Sequence, residues 1–198
     1  MLIDISQEVF SCSVFEGDPQ PERKQPLQIR NGDDCNLTAF SMCAHNGTHI
    51  DAPHHFIDGG KTVTEMGLRP FVGACWVARH RGAVTAEDAR RILQRAEAAD
   101  AAARILVAGK AVLTAEGAAV FAKAGILLFG NESQTVGPEK EPKEVHLIML
   151  GAEIALLEGI VLKHVPEGRY FLCAAPLHLG GADGAPCRAF LIKRGKQK

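Results

Sequence analysis

The sequence lacks the features that mark nucleic-acid-binding, secreted and membrane proteins. Its 198 residues carry a net charge of −1, and no run of Lys or Arg lies outside the short tail after Lys193. A basic patch that could bind nucleic-acid phosphates is therefore not expected. The first residues, MLIDISQEVF, lack a basic segment followed by an apolar one, which predicts no secretory signal. No segment approaches the ~18 uninterrupted apolar residues of a membrane span. We expect a cytoplasmic protein without nucleic-acid or membrane partners.

Paired cysteine spacing, which is typical of thiolate metal centres, is also missing. The six cysteines are scattered and form no CxxC pair, so a zinc ion held by thiolates is not expected. Five of them lie beside apolar or small residues, which predicts reduced and mostly buried thiols. No residue pattern singles out a catalytic cysteine.

The remaining composition is that of an ordinary globular protein, with 46% hydrophobic and 23% charged residues. The length suits one domain over residues 1–198. Apolar patterns and capping residues predict strands over 37–44, 74–79, 104–109, 126–130, 165–175 and 186–193, and helices that start at Thr85, at Thr114 and over 143–159. Alternating strands and helices indicate a partly parallel layer covered by helices, and the strand-rich ends indicate a more antiparallel layer. The fold class is therefore mixed α/β.

The most unusual stretch is AHNGTHIDAPHHF, residues 44–56, which holds four of the eight histidines. Within it, His45, Gly47, His49 and Asp51 occupy alternate positions. Alternate side chains of an extended segment point to the same face, so two imidazoles and a carboxylate would lie together. A glycine between the histidines would leave room on that face.

Neighbouring residues favour the extended form of this segment. Thr48 and Ile50 are β-branched, and Pro53 would break a helix. His55 then lies just beyond the first three side chains, whereas His54 faces the other way and reads as a surface residue. The alternative is a polar loop whose histidines are all surface residues.

Two imidazoles and a carboxylate without a thiolate favour a divalent cation such as Zn²⁺ or Mn²⁺. Three protein ligands leave coordination positions for water, which is the arrangement of a catalytic rather than a structural metal site. The segment therefore predicts a metal-dependent enzyme.

HNGTHIDAPHH fits the pattern His-x-Gly-Thr-His-x-Asp-x-Pro-x-His and resembles the cyclase-like metal-dependent hydrolases. That family includes bacterial kynurenine formamidases and isatin hydrolases. Residues 4–19 and the C-terminal part from residue 146 are similar to the family as well, so the resemblance covers most of the chain. It implies a single domain in which a mixed β-sheet curls into a barrel-like layer with helices packed outside. It also implies a homodimer or larger oligomer.

The resemblance implies a set of metal ligands that hold one or two ions. The implied ligands are His45, His49, Asp51, His146 and Glu158, with Asp51 bridging the two metal positions. Judged from the residues alone, a structural role is favoured for His146, which lies on an apolar helix, and for Glu158, which lies at the end of that helix.

The same resemblance implies that His55 is the catalytic acid/base. Phe15 stands where kynurenine formamidases usually have a tryptophan that lines the substrate pocket, which implies a smaller aromatic wall. Residues 107–109 and 130–133 also depart from the family pattern. Residues 180–188 match a family loop near the site, although a turn at Asp183 explains them equally well.

These observations predict a metal-dependent, arylformamidase-like hydrolase that opens an amide, formamide or lactam C–N bond of a small aromatic substrate. One alternative is a non-catalytic metal- or ligand-binding protein on the same fold. His55 favours the enzyme, because a binding protein has no use for a free imidazole beyond its ligands. Another alternative is a metal-free hydrolase that uses Cys43 with a histidine.

Overall fold

A mixed nine-stranded sheet organises the protein, for which a computed structural model describes residues 1–193. Thirteen strands and three α-helices are present in this part of the chain. The strands are β1 Leu2–Asp4, β2 Glu22–Leu27, β3 Leu37–Ser41, β4 His49–Asp51, β5 Val72–Arg79, β6 Gly82–Val84, β7 Arg104–Ala108, β8 Ala111–Leu113, β9 Leu128–Asn131, β10 Ala155–Glu158, β11 Gly168–Cys173, β12 Gly184–Pro186 and β13 Phe190–Ile192. The helices are α1 Ala86–Ala98, α2 Ala115–Ala124 and α3 Lys143–Gly151.

The strand order of the main sheet is β1-β13-β11-β5-β7-β9-β10-β4-β12. The four central strands β5, β7, β9 and β10 are parallel. The strands on both sides of them pair in antiparallel fashion. The sheet forms a half-barrel within a single α/β domain. This confirms the predicted fold class.

The helices cover one face of the sheet, and two of them begin where the sequence predicts. Thr85 caps α1 in a capping box with Asp88, and the Thr114 side chain accepts the Gly117 N–H at the start of α2. Apolar side chains of all three helices pack with β7, β9 and β10 into one core cluster. The opposite sides of the same strands pack with β5, β11 and β13 into a second cluster inside the half-barrel.

The prediction of one helix over 143–159 is wrong beyond Gly151. The helix α3 ends there, and the chain turns through Glu153, whose φ is +57°, before it enters β10. All four residues of β10 are buried, because the strand lies between β9 and β4 in the sheet. A central parallel strand is apolar on both faces. Its apolar run therefore cannot be distinguished from a buried helix by periodicity.

The predicted strand over 37–44 ends at Ser41 and pairs only with β2. Every residue of this two-stranded hairpin is exposed. The cysteines are free, as predicted, but only Cys75 is buried; Cys35 is exposed and the others are half-buried. No helix in residues 1–193 is long and apolar enough to cross a bilayer. A cytoplasmic location stays a prediction.

Candidate metal centre

Strand β4 brings three candidate ligands together by simple sheet geometry. His49 and Asp51 are two residues apart in the strand, so both side chains point to the same face. Glu158, the last residue of β10, lies directly opposite His49 in the antiparallel register. His49 Nε2 is 3.3 Å from Asp51 Oδ1 and 3.5 Å from Glu158 Oε2. All three side chains are buried.

His45 reaches the same carboxylate from a turn rather than from an extended strand. Its Nδ1 is 2.8 Å from Asp51 Oδ1. The extended conformation predicted from residue 45 onward is wrong for the first residues, because the chain turns at Gly47, whose φ is +62°. A Cβ atom on Gly47 would lie 2.8 Å from Cys12 Cβ. Glycine is therefore needed here for the turn and for close packing, not to separate two histidines.

His146 enters the cluster from α3, on the opposite side of the two carboxylates. Its Nε2 is 3.3 Å from Glu158 Oε1 and 3.6 Å from Asp51 Oδ2. Its Nδ1 donates to the carbonyl oxygen of Pro142 at 2.8 Å, and His49 Nδ1 donates to that of Gly47 at 3.0 Å. Metal-bound histidines are typically held in this way, with one ring nitrogen on a carbonyl and the other facing the ion.

The electrostatics of the cluster favour a bound cation. Burial opposes the charged form of His146, yet the carboxylates of Asp51 and Glu158 outweigh it and raise the pKa of His146 to about 10. Burial would raise the pKa of Asp51, but the imidazoles of His146 and His45 hold it well below its usual range. Protons on the imidazoles thus balance the buried carboxylates when no cation is bound. A divalent cation would take their place.

One buried atom also lacks a partner of its own. Asp51 Oδ2 makes no hydrogen bond to any residue of the described part of the chain. Buried carboxylate oxygens normally have a partner, since an unsatisfied one is costly. Nitrogen and oxygen donors without thiolate suit Zn²⁺ or Mn²⁺. The residues present therefore fit a divalent cation.

Two groups of side chains within residues 1–193 have ligand atoms that all lie within 4.8 Å of one another. The groups are His45, Asp51 and His55, and His49, Asp51 and Glu158. Because Asp51 belongs to both, the geometry accommodates one ion or two that share this carboxylate. It also places His55 close enough to be considered as a ligand.

His55 lies on a single helical turn that begins at Pro53. Its ring stacks on that of His45, with centroids 3.9 Å apart, and its Nδ1 is 3.2 Å from Asp183 Oδ2. Burial lowers the pKa of His55, so the neutral imidazole is favoured. The adjacent His54 is exposed, as expected of a surface residue.

The wall of a cavity of about 230 Å³ contains Glu158 and four histidines, which are His45, His49, His55 and His146. Phe15 and Phe56 add aromatic surface to this wall, and Gln134 and Thr135 add polar groups. Phe15 is thus placed where a substrate-contacting residue would be. Cys43 does not line the cavity. Gln134 and Thr135 were not predicted, because neither belongs to a motif that the sequence analysis recognised.

Asp183 was expected to form a turn, but its side chain lies at the site. Its Oδ2 lies 2.8 Å from His45 Nε2 as well as 3.2 Å from His55 Nδ1. The available signal was the similarity of residues 180–188 to a family loop near the site. The turn itself lies at Gly180 and Gly181, and Asp183 directly precedes β12, so the interpretation of Asp183 as the residue that nucleates the turn is wrong.

The sequence is similar to known proteins over most of its length. The family model Cyclase matches residues 3–149. A kynurenine formamidase of Erythrobacter litoralis is 32% identical over 202 residues, which cover 95% of this chain and 92% of the relative.

Solved structures show the same fold. One described as a potential metal-dependent hydrolase with cyclase activity has a TM-score of 0.82 and 27% identity, with 98% of each chain covered. Isatin hydrolase A from Labrenzia aggregata, with a TM-score of 0.79, 20% identity and coverage of 98% of this chain and 94% of its own, shares the fold. Because the family model matches most of the sequence and the formamidase aligns along nearly all of it, the chain belongs to the cyclase family.

Proposed function

We propose that this protein is a metal-dependent hydrolase that cleaves the C–N bond of a small amide, formamide or lactam. The observation that carries the proposal is the convergence of three imidazoles, all of which line one cavity, on two buried carboxylates. The kynurenine formamidase relatives support C–N bond hydrolysis. Their alignment with nearly the whole chain also supports one cyclase-like domain over residues 1–198.

The metal ligands in this proposal are those predicted from the sequence. They are His45, His49, Asp51, His146 and Glu158. Zn²⁺ or Mn²⁺ fits the donors, and sharing of Asp51 accommodates one or two ions. When bound, such an ion polarises a substrate carbonyl and lowers the pKa of water toward neutrality.

His55 is the residue proposed to move the proton. It lies in the cavity wall beside the cluster, and it is half-buried and neutral. A neutral imidazole can accept a proton from the attacking water and donate it to the leaving nitrogen. Groups in this role typically contribute ~10²–10⁴-fold to the rate.

The cavity supports a small aromatic substrate. Its volume of about 230 Å³ is below the ~300–1,000 Å³ of drug-sized pockets. Phe15 and Phe56 provide aromatic surface in the cavity wall. N-formylkynurenine is therefore the first compound to assay, followed by formanilides, isatin, lactones and simple esters. Cleavage of esters and lactones alone would contradict the assignment to C–N bonds.

The metal and the role of His55 are tested by one paired experiment. Protein purified without chelator should contain zinc or manganese. His49→Ala should lose both metal and activity, whereas His55→Ala should keep its metal and lose kcat by ~10²–10⁴-fold. Equal loss of metal in both variants would make His55 a ligand. Absence of metal in the wild type, with no effect of added metal on stability or activity, would refute the proposal.

Two alternatives from the sequence are not favoured. The hydrolase relatives and the placement of His55 argue against a binding protein without activity. A Cys43 nucleophile is disfavoured because this residue lies outside the cavity wall. Cys43→Ser should leave activity unchanged, and activity should be lost to chelator but not to thiol alkylation.

The protein is further proposed to act as a homodimer. A two-stranded hairpin is marginally stable by itself in water, yet every residue of β2 and β3 is exposed, including Leu37 and Phe40. Phe40 also lines an apolar groove of about 730 Å³ together with Phe10, Leu177 and Phe190. Exposed apolar surface of this extent is typical of an interface.

A second copy of the chain is the proposed occupant, since the hairpin and the groove belong to the same surface and a two-fold axis would let each cover the other. Light scattering should give twice the chain mass for the wild type and for Leu68→Glu, a control at an exposed leucine outside this surface. Phe40→Glu should shift the protein to monomer. A monomeric wild type would contradict the proposal.

A further inference from the structure

One carboxylate outside the predicted ligand set touches two histidines that have different proposed roles. Asp183 Oδ2 is 2.8 Å from Nε2 of His45, a proposed ligand, and 3.2 Å from Nδ1 of His55, the proposed acid/base. The two imidazole rings are stacked with centroids 3.9 Å apart, so a single oxygen reaches both. The Asp183 side chain lies at the rim of the site and is 42% exposed.

The loop that carries this aspartate is held by the backbone of the site itself. The Ala52 N–H donates to the carbonyl oxygen of Asp183 at 2.9 Å, and the Val63 N–H donates to that of Ala182 at 2.9 Å. Strand β12 then continues from Gly184 alongside β4, with Gly184 opposite Asp51. The carboxylate is therefore presented from a fixed backbone position next to the metal-binding strand.

We propose that Asp183 is a positioning residue that sets the tautomers of His45 and His55, an inference that rests on the proposed function. An ionised carboxylate only accepts hydrogen bonds, so each ring nitrogen that faces it must carry a hydrogen. His45 Nδ1 faces the Asp51 carboxylate at 2.8 Å, so it gives up its hydrogen only when a cation takes that place, and the hydrogen of the zinc-bound His45 then lies on Nε2, against Asp183. The hydrogen of a neutral His55 lies on Nδ1, and its bare Nε2 is available to accept a proton.

The expected effects follow from these two contacts. Outer carboxylates that hold metal-bound histidines typically account for 10–100-fold in metal affinity or activity. A carboxylate behind a general-base imidazole holds the correct tautomer and stabilises the imidazolium that forms. Asp183→Ala should therefore weaken zinc binding by ~10–100-fold. It should also lower kcat more than it changes KM, because orientation of the base matters in the transition state.

The test compares Asp183→Ala and Asp183→Asn with Asp58→Ala, a control at an exposed aspartate on the loop after His55. Zinc affinity is measured by competition with a chromogenic chelator. The histidine tautomers are read from the ring ¹⁵N chemical shifts of histidine-labelled full-length protein. The kinetic constants are measured on the panel substrate that the wild type cleaves best, and the melting temperature is recorded for each variant.

We expect the wild type and Asp58→Ala to show His55 with hydrogen on Nδ1 and to bind zinc equally well. Asp183→Ala should shift His55 toward the Nε2–H tautomer and weaken zinc binding. Asp183→Asn keeps an oxygen that can accept an N–H, so it should recover part of both losses. Unchanged tautomers and zinc affinity in Asp183→Ala would overturn the inference. The inference would also be overturned if Asp183→Ala lost zinc affinity only in proportion to a lowered melting temperature and Asp183→Asn recovered neither the zinc affinity nor the tautomer.

This design separates the inference from the proposed function. If the wild type cleaves no compound of the panel, the proposed hydrolase activity fails. The tautomers and the zinc affinity still test the positioning role of Asp183, because neither measurement needs turnover.

Discussion

Gly159 follows the proposed ligand Glu158 and packs against the turn at Gly47, between the proposed ligands His45 and His49, which makes Gly159→Ala an informative perturbation. Its φ is +64°, and an added Cβ would lie 2.1 Å from the Gly47 carbonyl oxygen and 2.2 Å from Gln134 Nε2. Real Cβ atoms do not approach other atoms so closely, so the backbone must shift. The Gly47 oxygen that would move is the one that accepts the N–H of His49.

The cost of this substitution can be worked out from two contributions. A left-handed conformation at a residue other than glycine costs about 1–3 kcal/mol. Overpacking against fixed backbone costs about 1–3 kcal/mol more. The sum of ~2–6 kcal/mol is a large part of the ~5–15 kcal/mol that stabilises a typical protein. Since each kcal/mol shifts the melting temperature of a chain of this length by about 2–4 °C, the melting temperature should fall by roughly 4–24 °C.

Gly125→Ala is a matched control, because Gly125 has a φ of +66° but no atom within 4 Å of an added Cβ. It should cost only the conformational contribution of about 1–3 kcal/mol and leave zinc binding unchanged. Gly159→Ala should lose more stability than this control and should also bind zinc more weakly. Urea unfolding and zinc titration of both variants measure the difference. Equal destabilisation with unchanged zinc affinity in both would refute the reasoning about the contact with Gly47.

Three further predictions address the metal, the pocket and the core. Chelation should lower the melting temperature, since a ligand at 100 times its Kd adds ~2.7 kcal/mol of stability; an unchanged transition would contradict a bound metal. Phe15→Ala should lower kcat/KM for aromatic substrates by an amount equivalent to ~1–3 kcal/mol, without loss of metal. An equal decrease in kcat/KM for aliphatic amides would argue against an aromatic wall. Arg104→Met should cost at least ~3 kcal/mol in urea unfolding, because buried Arg104 donates to three backbone carbonyl groups that would be left unsatisfied. Its metal content should not change.

Features that depend on residues a few positions apart could be predicted from the local sequence. His49 and Asp51 share a face because alternation is a local property of an extended segment. The caps at Thr85 and Thr114 were predictable because each interaction spans only three residues. The motif HNGTHIDAPHH indicated the family, which the comparisons confirm.

Features that depend on the pairing of distant strands could not be predicted from local patterns. The apolar run before Glu158 became strand β10 instead of helix, since a buried strand and a buried helix have the same composition and only the neighbouring strands distinguish them. The register of β10 against β4 then placed Glu158 opposite His49. Asp183 reached His45 across 138 residues of sequence through the pairing of β12 with β4. No local pattern specifies such a contact, because strand pairing depends on the packing of the whole sheet.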